Sequence, residues 1–208
     1  MLVIPLLVAS LLPAGAAFAR CPAPSRAVHV LARAGRSIVY NNPRDKVYEG
    51  AGRVYACRGP RGRPHTINQR GEWGYNGLDS FVLAGPFVAF EEDWGSAAGG
   101  AAYDVVVRDI RTGRIAVDAS VSERGGDVDD QAEVILLKRN GSVGWLATTG
   151  PPDDIDNHLT REVHIADRDG IRLLDQDTAI AENSLRMSRD RRSISWRHGE
   201  TLRSASFR

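Results

Sequence analysis

Apolar and polar residues alternate along this chain in short runs, and one run-turn-run pattern occurs four times. The copies are Val28–Tyr40 (VHVLARAGRSIVY), Ser80–Phe90 (SFVLAGPFVAF), Val134–Trp145 (VILLKRNGSVGW) and Leu185–Trp196 (LRMSRDRRSISW). Each closes on an aromatic residue, and Tyr40, Phe90, Trp145 and Trp196 lie 50, 55 and 51 residues apart. Self-similarity on that scale marks a repeat architecture in which each copy is one supersecondary unit. Period-two alternation around a short polar turn predicts a β-hairpin at each copy. Equivalent positions imply equivalent packing, so the four aromatics are read as core.

A third strand follows each hairpin, at Val54–Cys57, Val105–Asp109, Val163–Asp167 and Leu202–Phe207. A fourth follows in three copies, at Pro64–Asn68, Arg114–Val121 and Ile171–Asp175, and the last copy reaches Arg208 before its fourth. The turns Asp109-Ile-Arg-Thr-Gly113 and Asp167-Arg-Asp-Gly170 use residues that tolerate turn backbone angles. Helical periodicity is absent, and Ala179–Leu185 has room for one short turn at most. The expectation is therefore a single all-β domain over residues 20–208, with fifteen strands in four propeller-like repeats. The alternative is a β-sandwich, which also spaces short strands about 8–12 residues apart. Fifteen strands are many for a sandwich of this size.

The string Val107-Arg-Asp109-Ile-Arg-Thr-Gly113 is similar to the strand-turn of WD40-like and TolB-like propellers, where a strand ends in Asp before a Thr-Gly turn. The overall layout resembles a set of secreted actinobacterial repeat proteins of unknown function. The resemblance implies a β-propeller and carries over no catalytic residue. The Gly-His and Trp-Asp signatures of WD40 proteins are absent.

Residues 1–19 are uncharged and mostly apolar, and end in Ala17-Phe18-Ala19 before Arg20. That reads as a secretory signal peptide; an uncleaved anchor is the alternative, but Pro5, Pro13 and Gly15 interrupt the run. Export would place Cys21 and Cys57 in an oxidising compartment, where an isolated pair forms a disulfide. The expected location is therefore extracellular or in the cell envelope, with no transmembrane segment in the mature chain. The formal charge of +1 hides an uneven distribution. Residues 20–75 carry 11 basic and 3 acidic side chains, whereas 76–160 carry 6 and 15. No recognition motif accompanies the basic third, so nucleic acid is not read as a partner.

Catalytic motifs are missing: no HExxH, GxSxG, Walker or CxxC string occurs. Of the five histidines, His29 and His164 fall in strand patterns, while His158 sits beside an acidic loop. That loop, with Asp153, Asp154 and Asp156, and a second one, with Asp127, Asp129 and Asp130, offer closely spaced oxygen ligands of the kind calcium takes. Neither follows the EF-hand pattern. Trp73, Tyr75 and Trp94 lie in Gly-rich connections, where aromatics anchor partners. In a meander the 1–2 and 3–4 turns project from one end and the remaining loops from the other. The long segments are Asn41–Gly52, Gln69–Asp79, Glu91–Ala102, Ser122–Ala132 and Thr148–Arg161, all of the second kind. Long loops on a rigid scaffold are where function collects. The sequence is thus read as an extracellular binding or scaffold module, with Trp73, Tyr75, Trp94 and His158 as ligand-binding candidates. The alternative is an extracellular hydrolase or lyase on the same scaffold.

Overall fold

The computed structural model describes residues 20–21, 28–48, 51–67, 80–95, 101–123, 130–150 and 159–208. Fifteen strands and no helix occur among them, arranged as four antiparallel meanders. The first sheet has β1 (His29–Ala34), β2 (Ser37–Tyr48), β3 (Ala51–Arg58) and β4 (His65–Thr66). The second has β5 (Val82–Ala84), β6 (Phe87–Gly95), β7 (Ala101–Asp109) and β8 (Ile115–Ser120). The third has β9 (Gln131–Leu137), β10 (Val143–Thr149), β11 (Thr160–Asp167) and β12 (Gly170–Asp177). The fourth stops at three: β13 (Arg186–Met187), β14 (Ser193–His198) and β15 (Thr201–Ser206). Each meander thus coincides with one sequence repeat, including the three-stranded last one.

Alternation along the second strand of each sheet sends neighbouring side chains to opposite faces. Both faces of the second and third sheets are apolar over most of their length, so each is covered twice. Val39, Val54 and Ala56 of the first sheet meet Val88, Phe90 and Val106 of the second. Ala89, Val105 and Val107 on its other face meet Val143, Trp145 and Ala147 of the third. Leu146, Val163 and Ile165 on the far side of the third sheet then meet Ile194 and Trp196 of the fourth. The sheets therefore pack face to face in chain order. The aromatic of each later repeat points back at the sheet before it. All four aromatics are buried: Tyr40 1%, Phe90 0%, Trp145 0% and Trp196 3% exposed.

Two of these aromatics are also polar ties. The Trp145 indole N–H donates to the Val121 carbonyl at 2.8 Å, just beyond the last strand of the second sheet. The Trp196 indole N–H donates to Asp175 Oδ2 at 2.6 Å, on the last strand of the third. The same device thus joins consecutive sheets twice.

The 1–2 turns gather at one end of the strands. Ser37 Oγ donates to Gly85 O at 2.6 Å, linking the first and second hairpins. Gly85 and Gly141, at φ 62° and 91°, let the second and third hairpin turns approach closely. A Cβ on Gly141 would stand 3.1 Å from the Phe87 ring, and one on Gly85 would stand 3.4 Å from Arg139.

Two segments read as loops are extended instead. The β2–β3 and β6–β7 hairpins continue through Asn41–Tyr48 and Glu91–Gly95, and return from Ala51 and Ala101. Glu91, Glu92 and Asp93 lack the alternation that announces a strand, yet their backbones pair with Val105, Asp104 and Tyr103. The Ala179–Leu185 stretch contains turns and an isolated bridge from Ile180 to His198, not a helical turn.

If Trp145 is both a large core group and a tie, its two roles separate by substitution. Trp145→Ala is expected to cost about 3–5 kcal/mol in urea unfolding. Trp145→Phe keeps most of the bulk and loses the hydrogen bond, at about 1 kcal/mol. Equal stability of all three proteins would contradict the assignment.

Candidate functional site

The disulfide expected from the cysteine pair is present. Cys57 lies in β3 opposite Ile38, and Cys21 reaches it with a Cα–Cα distance of 5.8 Å. The Cys21 N–H also donates to Gly62 O at 3.0 Å, so the segment around Cys21 is fixed to the turn after β3.

Of the ligand-binding candidates, Trp94 falls in β6, with its backbone opposite Ala102. Trp73, Tyr75 and His158 lie outside the described residues, as do Asp153, Asp154 and Asp156 of the calcium-type loop. Asp127 and Asp129 do too. Asp130 is described and buried, and accepts the Ser122 hydroxyl at 2.5 Å. Among the described residues no group of three or more His, Cys, Asp or Glu is placed to hold a metal ion.

Two polar clusters occupy the seams between sheets. In the seam of the second and third sheets, Glu162 on β11 is fully buried. Its Oε2 accepts the Glu123 N–H at 2.9 Å and lies 2.8 Å from His164 Nε2, while Oε1 accepts Gln176 Nε2 at 2.9 Å. His164, 2% exposed, stacks on Trp145 at 4.9 Å between ring centres. Two N–H donors and the His164 ring nitrogen thus partner the buried carboxyl oxygens. The pair has the composition of a general acid–base dyad, but it is sealed from solvent. It holds the connection after β8 against β11. Alongside it, Glu91 Oε2 accepts the Ala132 N–H at 2.8 Å, a second carboxylate crossing the same seam.

The seam of the third and fourth sheets is centred on Asp175 of β12. Its Oδ2 accepts Trp196 Nε1 at 2.6 Å and lies 3.1 Å from His198 Nδ1, and its Oδ1 accepts from Arg203 at 2.7 Å. His198 Nε2 stands 3.6 Å from Asp177. An Asp fixing Nδ1 of a His is the orienting half of a nucleophile triad. No Ser, Thr or Cys side chain hydrogen-bonds His198 among the described residues, so the other half is not assembled there. Burial pushes the Asp175 carboxyl up, but the hydrogen bonds from Trp196 and His198 and the charge of Arg203 outweigh it. The net pKa lies below the ordinary carboxylate value.

Alternation hid both clusters. Glu162 and His164 flank Val163 in a strand whose apolar Val163 and Ile165 face the fourth sheet, and period two alone does not say that their own side is covered. It faces the second sheet. The sequence signal that remains is Asp175-Gln-Asp177 aligned with the end of a predicted strand.

Comparison with known proteins adds no assignment: no protein-family model matches the chain, and no curated protein matches it in sequence.

The depressed Asp175 pKa fixes the direction of a pH effect. The folded value lies below the unfolded one, so its contribution is present above about pH 4 and is lost as pH falls through the folded value. Asp175→Asn is expected to melt below the parent at pH 7, with the gap narrowing below about pH 4. A gap that is constant between pH 7 and pH 3 would contradict the ionised tie.

Proposed function

We propose that this protein is a secreted binding or scaffold module whose four sheets are propeller-like blades stacked in chain order. The face-to-face packing of consecutive sheets supports that reading, as does the position of β1 beside β5 and of β5 beside β9, which suits the inner strands of successive blades. The apolar leader and the disulfide support export.

One observation carries the binding reading. The tight 1–2 turns cluster at one end of the strands, and every strand end from which a long segment departs lies at the other. Those segments hold Trp73, Tyr75 and His158, and Trp94 lies near the end of β6 on the same side. A rigid stack with all its long segments at one end is the arrangement in which loops recognise partners. The buried seam carboxylates supply the rigidity and take no part in recognition.

The reading predicts that the mature chain, used as bait on envelope extract from the producing cell, retains a defined component. A variant carrying Trp73→Ala, Trp94→Ala and Asp154→Ala together is expected to lose that capture at an unchanged melting temperature. Undiminished capture by the folded variant would refute the assignment of this end.

A further inference from the structure

The fourth sheet gives one face to the third, and among the described residues no other sheet packs on its other face. Ile194 and Trp196 point into the seam, so Ser193, Ser195 and Arg197 of β14 point outward. Cross-strand register adds Arg186, Leu202 and Ser204 to that face. Leu202 on that face is 70% exposed. At one end of the face the β13–β14 turn contributes Arg189, Arg191 and Arg192, all exposed. Residues 186–208 hold seven arginines against Asp190 and Glu200. Two are engaged elsewhere, Arg203 with Asp175 and Arg208 with Asp169. Arg189, Arg191 and Arg197 form no ion pair among the described residues. Asp190 accepts the Ser188 hydroxyl at 2.7 Å and the Arg192 N–H at 3.1 Å, bonds that hold its pKa low and keep it ionised within the turn.

The turn itself is a second, independent observation. Its hydrogen bonds repeat those of the preceding hairpin: Arg191 N–H to Ser188 O at 2.9 Å matches Gly141 N–H to Lys138 O at 3.1 Å. Likewise Arg192 N–H to Asp190 Oδ1 matches Ser142 N–H to Asn140 Oδ1. The position is left-handed in both, φ 59° at Arg191 and 91° at Gly141, and the first two hairpins use Gly35 and Gly85 in left-handed backbone as well. The third repeat thus places glycine at this position of the turn, and the fourth places an arginine there against backbone preference. Strain of this kind is retained where the side chain has a task.

We propose that this face and its basic turn bind an anionic polysaccharide, a second surface that rests on the binding-module reading above. Arg189, Arg191, Arg192 and Arg197 present guanidinium forks to carboxylates. Ser195 and Ser204 offer hydroxyls to the sugar between them. From Ser193 to Arg197 the strand spans roughly 13 Å, so the charges at its two ends engage separate residues of an extended chain. Single-stranded nucleic acid is disfavoured, because the face has no aromatic platform for bases. A membrane surface is disfavoured too, because Leu202 is the one large apolar side chain on it.

The test uses the mature chain with polygalacturonic acid as probe, and dextran, single-stranded DNA and anionic phospholipid vesicles as comparators. The parent is expected to bind polygalacturonic acid in preference to all three, more weakly as salt rises. Arg189→Ala, Arg192→Ala and Arg197→Ala combined are expected to lower that affinity about tenfold or more by removing three of the charge contacts. Arg191→Gly is expected to weaken it severalfold while the melting temperature holds or rises, separating ligand contact from folding. Undiminished binding by the triple variant, equal binding of dextran, or tighter binding of DNA or vesicles would each overturn the proposal. A triple variant that binds polygalacturonic acid like the parent but still captures the envelope component defeats this surface alone. Loss of capture by the parent defeats the module reading.

Discussion

A four-stranded meander has two faces and no means of burying either by itself, and that constraint organises everything described here. Each sheet lies on its predecessor, and the contact is made by the aromatic residue of its second strand. In the last two repeats that residue is tryptophan, which fills the seam and donates its N–H to the fourth strand of the sheet before or to the residue just beyond it. One side chain thereby supplies apolar bulk and a directional bond. The bulk resists opening of the seam, and the bond selects the register between sheets. Phe90 supplies bulk alone, and the hydroxyl link of Ser37 to Gly85 fixes the register between the first and second sheets.

The seams also explain why buried carboxylates are tolerated. Glu162 and Asp175 each collect three partners from more than one element, so burial leaves them satisfied rather than stranded. Removing a partner would leave a buried oxygen less well satisfied, which makes the clusters costly to alter. What remains for recognition in the proposed reading is the strand ends where the long segments leave and the outer face of the fourth sheet.

Much of this order was legible in the sequence because the repeat imposes it locally. The closing aromatics, the 1–2 turns and the third strands all follow from alternation plus turn chemistry. The extension of β2 and β6 was not legible, since Glu91, Glu92 and Asp93 are poor strand formers held by pairing to β7. Nor were Glu162 and His164 as seam residues, because period two says that they share a face and not which face is covered. The strain at Arg191 appears only when its φ is set beside that of Gly141. Trp73, Tyr75, His158 and the Asp153 loop remain expectations of sequence, while Cys21 and Cys57 are joined as their isolation in the chain implied.

The most direct test of the seam account is a double-mutant cycle on Trp196 and Asp175. Trp196→Phe, Asp175→Asn and the double variant would be unfolded in urea at pH 7. The account predicts that the two losses overlap, with a coupling energy of about 1.5–3 kcal/mol, as for a hydrogen bond to a charged group. Losses that add to within about 0.3–0.5 kcal/mol would show that the two side chains act independently. The tie between consecutive sheets would then not be what sets their packing.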